Sequence, residues 1–455
     1  MNYYFIGIGG IGMSALARYF KQRGDNVYGY DHAESPLTHQ LEHEGIVVHY
    51  DDNPAKIPTD IDLCIYTPAV PRTTEVYRHM EARGVKIVKR SQMLGELTRG
   101  KRCIAVAGSH GKTTTSGMIV TLLQEAGIAV DAFLGGIHKN LDSNMLCQTG
   151  SKYVVVEADE YDRSFLHLHP YLSVITSTDA DHLDIYGTHA NLLEAFDQFA
   201  SQTDEDGHIF IQSNASLLAA HQSFVLQRIS NGHASCYSGK ASNATHHASN
   251  IRIEQHGIRF DYTDNHLTIN DIYLQSAPYN IENAVAAIAV AIACGADADA
   301  IRRGMAHFSG IRRRFDYRVC NSHIIYIDDY AHHPRELAAA IDSARQLYPN
   351  KRIAGIFQPH LYSRTADFYR EFATSLSALD DVTLLDIYPA REEPIAGVSS
   401  LLILDNITSS HRRLYSKEQL IQHVTEIDCD VLMTLGAGDI DRLVPTIEEK
   451  LLNSK

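Results

Sequence analysis

The chain has 455 residues, 44% of them hydrophobic, which is longer than a single hydrophobic core supports, so about three domains are expected. Its formal net charge of −15 and isoelectric point near 5.9 argue against nucleic-acid binding, which needs a broad basic surface. Seven cysteines without CxxC spacing indicate reduced thiols, not a disulfide framework or a zinc site.

The amino-terminal segment, residues 1–10, has neither a basic start nor a long apolar run. It therefore predicts no signal peptide and no membrane insertion. We expect a cytoplasmic protein.

Three series of short apolar runs organise the chain, and each run is followed by a glycine-rich or acidic turn and a helical pattern. This pattern predicts parallel α/β units. The runs are residues 3–8, 27–30 and 63–66, then 103–107, 153–156 and 172–176, then 324–327, 353–357, 382–385 and 431–435. Domain boundaries are expected near Leu97 and Gly310.

The first predicted strand leads into a glycine loop, residues 7–12, that satisfies GxGxxG and opens a predicted helix extending to Gly24. Asp31 follows about 20 residues onward, as in dinucleotide-binding folds. Glycines and a helix amino terminus together make a diphosphate site. This motif alone favours a dinucleotide cofactor, and a tight structural turn is the alternative.

A second glycine loop, residues 108–114, lies between a predicted strand and an apolar helical run over residues 118–125. It is a shortened phosphate loop, because Val106 stands where the strict GxxxxGK[ST] pattern has glycine. Lys112 is expected to neutralise the β and γ phosphates of ATP, and the Thr113 hydroxyl to bind Mg²⁺.

Carboxylates and a histidine follow the next two predicted strands. Glu157, Asp159 and Glu160 come after the first, and His182 lies within a DHLD segment after the second. We expect one of the carboxylates to hold Mg²⁺ and His182 to lie near Glu157 across adjacent strand ends. Helix capping is the alternative.

Between the second and third series, residues 230–276 are polar, and alternation over residues 251–262 predicts an antiparallel insertion. Polar clusters then follow strands of the third series at residues 328–334 and 358–364. Arginines at 312–314 precede them, where a flexible junction would bring them onto phosphates. A solvated charge run is the alternative.

Taken together, these motifs resemble the Mur ligase family over nearly the whole chain. They are GIGGIGMS (7–14), GSHGKTTT (108–115), EADE (157–160), DADHLD (179–184), NIENA (280–284), RRRFDYR (312–318), DDYAHHP (328–334) and QPHLYSRT (358–365). The resemblance implies three α/β domains. These are a Rossmann-like UDP-sugar-binding domain (1–97), a central P-loop ATPase-type domain (98–310) and a Rossmann-like amino-acid-binding domain (311–455).

The resemblance also implies a ligase that uses ATP and Mg²⁺ to join L-alanine to the lactyl carboxylate of UDP-N-acetylmuramate through an acyl phosphate. The first loop then grips the UDP-sugar and not a dinucleotide. The protein is expected to act as a monomer or weak homodimer. A recycling relative that attaches a tripeptide is the nearest alternative.

Site roles follow from the matching motifs. The resemblance implies UDP-sugar contacts from Gly9, Gly10, Ile11, Gly12 and Asp31, and ATP contacts from Gly108, Ser109, His110, Gly111, Lys112, Thr113, Thr114, Asn280, Asn283, Arg314 and Asp328. It implies metal ligands at Thr113, Glu157 and His182, amino-acid contacts from Tyr330, His360 and Arg364, and catalytic roles for Lys112, His182, Arg314 and His333. His333 and His360 are the candidate general bases.

The chain departs from the family pattern in two places. Leu361 stands where many alanine-adding relatives have arginine, and no lysine between Lys152 and Lys240 is available for carbamylation. Two other classes remain open on the residues alone. A nicotinamide dehydrogenase would use the first loop but leaves Lys112 unexplained, and a nucleotide-gated binding protein would bind ATP without forming a bond.

Overall fold

The computed structural model describes residues 1–180, 182–219, 223–240, 243–254, 256–390 and 392–453. The predictions that concern Asp181 and the segment around Ser242 fall outside these ranges. The chain forms two compact units: Met1–Asn250, Phe260–Ile272 and Ile281–Ser309 make the first, and Ile251–Arg259, Tyr273–Asn280 and Gly310–Lys455 the second. No helix in the described ranges is long and apolar enough to cross a membrane.

A five-stranded parallel sheet begins the first unit, in the order β3-β2-β1-β4-β5. Its apolar first strand is buried on both faces, as expected for a parallel sheet covered by helices. The first glycine loop follows the central strand, where the strand order reverses and ligands bind in such folds. The elements are β1 (Asn2–Ile6), α1 (Ile11–Gln22), β2 (Asn26–Tyr30), α2 (Pro36–His43), β3 (Val47–His49), β4 (Leu63–Tyr66), α3 (Glu75–Ala82), β5 (Lys86–Lys89) and α4 (Arg90–Thr98).

Ten strands of the described residues form the central sheet, in the order β15-β14-β13-β12-β11-β10-β6-β9-β7-β8. The strands from β12 to β7 run parallel, and β8 is antiparallel to β7. The elements are β6 (Arg102–Ala107), α5 (Lys112–Glu125), β7 (Val130–His138), β8 (Ser143–Leu146), β9 (Tyr153–Ala158), β10 (Leu172–Ile175), α6 (Leu183–Tyr186), α7 (His189–Ser201), β11 (His208–Gln212), α8 (Phe224–Ser230), β12 (Ala234–Ser238), β13 (His246–Glu254), β14 (Gly257–Thr263), β15 (Thr268–Leu274), α9 (Asn280–Ala293) and α10 (Ala298–His307).

One expectation for this region needs correction. β9 and β10 are not neighbours, because the phosphate-loop strand β6 lies between them, so Glu157 and His182 do not follow adjacent strands. The apolar helical run predicted over 118–125 lies within α5, which begins at Lys112 with a first turn of buried threonines. The alternating stretch 251–262 falls on the neighbouring strands β13 and β14, and their antiparallel pairing stays a prediction.

The second unit contains a sheet whose described strands have the order β16-β17-β21-β18-β19-β20. Only the edge pair β16 and β17 is antiparallel among these strands. The elements are β16 (Asp316–Cys320), β17 (Ile325–Asp329), α11 (Pro334–Leu347), β18 (Ile353–Phe357), α12 (Tyr362–Leu376), β19 (Asp381–Leu384), α13 (Ser400–Leu404), β20 (His411–Leu414), α14 (Lys417–His423), β21 (Val431–Leu435) and α15 (Val444–Asn453). Three sheets with their helices confirm the three-domain α/β fold; the exact boundaries at 97 and 310 stay predictions.

Candidate active site

The second glycine loop connects β6 to α5 and needs its glycines for conformation and space. Gly108 and Gly111 have φ angles of 135° and 83°, a region that other residues rarely adopt. A Cβ atom on Gly111 would lie 2.5 Å from Oδ1 of Asn283, which places this predicted ATP-contact residue directly against the loop. The backbone N–H groups at the start of α5 and its dipole make this turn a suitable anion site.

The loop is fixed by the segment after β10. The His110 N–H donates to the Ser177 hydroxyl at 2.9 Å, and the Ser109 hydroxyl donates to the Asp179 carbonyl at 2.9 Å. The Ser109 N–H also donates to the Ser177 carbonyl at 3.3 Å. These bonds attach the loop to the segment that follows β10.

Lys112 pairs with Glu160. Its ammonium lies 2.8 and 3.0 Å from the two carboxylate oxygens and donates to the Gly108 carbonyl at 2.6 Å. Burial alone would lower the pKa of Lys112, but the carboxylates of Glu160, Glu157 and Asp159 raise it. Burial likewise opposes ionisation of Glu160, whereas Lys112 and a hydrogen bond from His182 lower the pKa of this carboxyl to about 2.

His182 therefore lies beside Glu160, with its Nε2 3.6 Å from Oε1 of that carboxylate. The residue has φ = 53°, an uncommon backbone conformation that indicates a functional constraint, and its ring packs edge-on against Tyr161. Glu157 lies near the end of β9, where its carboxylate accepts from the Gly135 N–H at 3.0 Å. Glu157, Glu160 and His182 thus reach the same edge of the sheet as the phosphate loop.

A cleft of about 260 Å³ joins this edge to the first glycine loop. Gly10 and Gly12 line one side, Glu157 and Asp159 line the other, and Arg90 lies between them. The Arg90 guanidinium is 3.3 Å from the Asp159 carboxylate. The cleft thus combines a helix amino terminus and a cation, which suit an anionic molecule, with the carboxylate of Glu157 near the end of β9.

The first loop is held at both ends. Asp31 accepts from the Gly9 N–H at 2.8 Å, so the predicted ribose-binding carboxylate also fixes the loop. The amide of Asn144, on β8 of the central sheet, donates to the Ile11 carbonyl at 2.6 Å and to the Ser14 hydroxyl at 2.9 Å. Because Asn144 is fully buried, these bonds tie the start of α1 to the central sheet.

In the second unit, the predicted nucleotide contact Asp328 is buried at the end of β17. The Thr434 hydroxyl donates to it at 2.7 Å, and the Arg313 guanidinium lies 3.5 Å away. Burial raises the pKa of Asp328 to about 6 and has the same effect on Asp329. Asp328 is thus engaged by Arg313, and its predicted contact with the nucleotide stays a prediction.

Arg314 stacks on Tyr330, with its guanidinium carbon 5.0 Å from the ring centroid. Asn280, at the start of α9, donates to the Ser276 hydroxyl at 2.8 Å and is buried. Its predicted adenine contact stays a prediction.

The histidines of the second unit lie around the amino terminus of α12. The Nδ1 of His360 is 3.3 Å from an Arg364 nitrogen, and its ring stacks on Tyr388 at 5.7 Å. Burial, together with nearby Arg364, lowers the pKa of His360 to about 4, so it is neutral at pH 7. His333 precedes α11, and its ring packs against Phe368 at 5.1 Å. Within this unit the structure thus places His360 beside Arg364.

Family models match the chain in three consecutive segments. The Mur ligase family, catalytic domain, matches residues 2–102; the Mur ligase middle domain matches residues 106–291; and the Mur ligase, glutamate ligase domain, matches residues 313–438. The chain belongs to the Mur ligase family.

Relatives of this Mur ligase align with it from end to end. It is 48% identical over 457 residues to the UDP-N-acetylmuramate–L-alanine ligase of Porphyromonas gingivalis, with 98% of each chain covered. It is 44% identical over 459 residues to the protein of the same name from Christiangramia forsetii, covering 99% of this chain and 98% of that protein. The crystal structure of the UDP-N-acetylmuramate-alanine ligase from Thermotoga maritima has a TM-score of 0.84, with 26% identity and all of both chains covered.

Two of the predicted metal ligands of this Mur ligase have the chemistry that magnesium prefers. The Thr113 hydroxyl and the Glu157 carboxylate are hard oxygen donors, which Mg²⁺ prefers. No group of three or more His, Cys, Asp or Glu side chains in the described ranges is arranged to hold a metal ion alone. Mg²⁺ is commonly held by one or two carboxylates together with substrate phosphates, so the residues fit an ion that arrives with a nucleotide.

The contacts of four residues of the Mur ligase site were not predicted from the sequence. Glu160 was one of three carboxylates from which a magnesium ligand was expected, but its pairing with Lys112 was not foreseen. Arg313 was part of a recognised arginine run. Arg90 and Asn144 gave no signal, because their partners are distant in sequence.

Proposed function

We propose that this Mur ligase joins L-alanine to the lactyl carboxylate of UDP-N-acetylmuramate, converting ATP to ADP and phosphate. The observation that carries the proposal is the 44–48% identity, over 98–99% of the chain, to curated relatives named for this reaction. The phosphate loop supports the nucleotide requirement, and the cleft beside it supports a second anionic substrate.

The first glycine loop and α1 hold the diphosphate of the UDP-sugar. The backbone N–H groups at the start of α1 and the helix dipole favour negative charge there, whereas the Gly9 N–H is bonded to Asp31 and the Gly10 N–H to the Gly7 carbonyl. Arg90 supplies a full positive charge in the same cleft. The cleft extends to Glu157. A UDP-sugar bound along it would have its lactyl group on the side of the phosphate loop.

The second loop holds ATP through its backbone N–H groups and Lys112. Thr113, Glu157 and His182 are the proposed metal ligands. Bound Mg²⁺ would neutralise charge on the phosphate oxygens. His182 is the least typical ligand for this ion, since imidazole suits other metals better. Its contact with Glu160 gives His182 a second role, since it helps to orient the Glu160 carboxylate.

The carboxylate oxygen attacks the γ phosphorus, the bond to the ADP oxygen breaks, and an acyl phosphate forms. The neutral alanine amine then attacks the acyl carbon, and inorganic phosphate leaves with the former carboxylate oxygen. Lys112 stabilises the charge that develops between two anions in the first step. Loss of a proton from the amine completes the amide.

His360 and Arg364 form the proposed amino-acid site. Arg364 offers a bidentate partner to the alanine carboxylate. His360 is neutral at pH 7 and can accept a proton from the ammonium, although its low pKa makes it a weak base. His333 remains the other candidate base. Leu361, with φ = 72°, precedes the helix that carries Arg364 and leaves carboxylate recognition to that arginine.

Phosphate release tests the proposal. The chain is incubated with ATP, Mg²⁺ and UDP-N-acetylmuramate, together with alanine, glycine, serine or the free tripeptide, and product mass is recorded. We expect release with alanine and a product heavier by one alanyl residue, and weaker release with glycine, since one methyl group contributes only about 1–3 kcal/mol. Release with the tripeptide alone would assign the chain to the recycling activity.

A further inference from the structure

Glu160 has no role in the reaction described above, yet it is the carboxylate closest to the phosphate-binding lysine. Its side chain is 1% exposed, and that of Lys112 is 14% exposed. Ion pairs this deeply buried are uncommon, because desolvation of both charges opposes them. The pair also lies inside the loop that has to accept phosphates, which are themselves anions.

The backbone around Glu160 keeps the carboxylate in place. The Tyr186 hydroxyl donates to the Glu160 carbonyl at 2.6 Å, and the Arg163 N–H donates to it at 3.0 Å. The Arg163 guanidinium in turn lies 5.5 Å from the Tyr186 ring centroid. These bonds fix the backbone of Glu160, and the carboxylate itself is held by the Lys112 ammonium.

The donors of Lys112 are directed to protein oxygens. Its three N–H groups face the Gly108 carbonyl and the two oxygens of Glu160. A phosphate oxygen that binds Lys112 must take a donor from the carboxylate. When a nucleotide binds, its phosphate therefore replaces the Glu160 carboxylate at the Lys112 ammonium. Glu160 opposes this replacement because it competes for the same donors and because its negative charge repels the phosphate.

The same carboxylate orients two groups at once. Lys112 lies on α5 and His182 follows β10, so their side chains come from different elements of the first unit. Glu160 lies 2.8 Å from the ammonium and 3.6 Å from the imidazole. A fixed anion between two cationic or proton-donating groups sets the direction of both.

We propose that Glu160 is a positioning residue of the ligase reaction: it holds Lys112 and His182 in reacting position and weakens nucleotide binding in exchange. This inference rests on the proposed function. The Glu160 carboxylate weakens the binding of ADP and ATP in the ground state. In return, the lysine is already oriented when the γ phosphate reacts. A carboxylate without a positioning role would change nucleotide affinity alone, so a fall in kcat that accompanies tighter ADP binding is the distinguishing result.

Glu160→Gln tests the proposal, since it removes the charge and keeps the shape. ADP affinity is measured by calorimetry without magnesium, and kcat by phosphate release. We expect ADP to bind about tenfold more tightly and kcat to fall about tenfold, the scale of one close charge pair. Asp131→Asn is the matched control, because it breaks another buried carboxylate–lysine pair, with Lys101, in the same unit. It should leave ADP affinity unchanged.

Three results would contradict either this inference or the proposed function. A folded Glu160→Gln protein that binds ADP no more tightly than the wild type would overturn the inference. Failure of the wild type to bind ADP would overturn the proposed function itself. If Glu160→Gln does not fold, Glu160→Asp decides: it keeps the charge but shortens its reach, so kcat should fall while ADP affinity stays near that of the wild type. An unchanged kcat would refute the positioning role.

Discussion

A ladder of hydrogen bonds across the central sheet makes the stability of the first unit sensitive to acid. The Ser235 hydroxyl lies 2.8 Å from Nε2 of His208 and 2.9 Å from Nε2 of His246. Nδ1 of His246 is 2.8 Å from the Tyr262 hydroxyl, which donates to Asp264 at 3.2 Å. Because the Tyr262 hydroxyl donates to Asp264, a neutral His246 donates from Nδ1 to Tyr262 and accepts at Nε2 from Ser235, which in turn accepts from Nε2 of His208.

The pKa values of both histidines are lowered from 6.5 to about 4. Burial is the main cause; nearby His233 and Arg228 also lower that of His208, whereas Asp264 partly opposes the shift of His246. Between pH 6.5 and pH 4 the unfolded chain therefore binds more protons than the folded chain. The contribution of the two neutral histidines to the free energy of unfolding is fully present above pH 6.5 and falls as the pH drops towards 4. At pH 5 the loss is about 2 kcal/mol per histidine, or about 1 after allowance for partial exposure.

Hydrogen exchange of β11 to β14, followed by mass spectrometry at pH 8 and pH 5 with correction for intrinsic rates, measures this loss locally. The wild type should lose about 2–4 kcal/mol of protection free energy in these strands. The double variant His208→Gln, His246→Gln cannot titrate there and should lose correspondingly less between the two pH values. An equal loss in both proteins would refute the reasoning.

Three substitutions test other contacts. Lys112→Met leaves the buried Glu160 carboxylate without its cation and should cost about 3 kcal/mol, seen as a lower Tm that Glu160→Gln partly restores; an unchanged Tm would contradict the pairing. Gly135→Ala would place a Cβ 2.5 Å from the Glu157 carboxyl carbon, so the magnesium concentration for half-maximal activity should rise about tenfold; normal magnesium dependence would argue against Glu157 as a ligand. Asn144→Ala removes two buried hydrogen bonds to the first loop and should raise KM for the UDP-sugar but not for ATP; equal changes in both would indicate general destabilisation.

Much of the fold could be predicted because its strands are parallel and buried on both faces. Such strands are continuous apolar runs, and the run at 103–107 is fully buried in the structure, as its composition indicates. Glycine loops then mark the strand ends where helices begin. The phosphate loop was recognised despite Val106, because strand, loop and helix occur in the right order.

The arrangement of the site was less accessible from sequence. Hydrophobic runs do not specify strand order, so the position of β6 between β9 and β10 was missed, and the contact of His182 with Glu160 was not predicted. Asn144 contacts Ile11 across more than a hundred residues, and only folding brings them together. The pairing of Arg313 with Asp328 depends on side-chain geometry, which the arginine run at 312–314 does not reveal.

The fate of the carboxylate oxygen tests the ligase reaction most directly. UDP-N-acetylmuramate labelled with heavy oxygen in its lactyl carboxylate is converted with ATP, Mg²⁺ and alanine, and the products are analysed by mass spectrometry. Attack of this carboxylate on the γ phosphorus predicts one labelled oxygen in each inorganic phosphate formed with the amide. Unlabelled phosphate, or label in AMP, would contradict the acyl phosphate route.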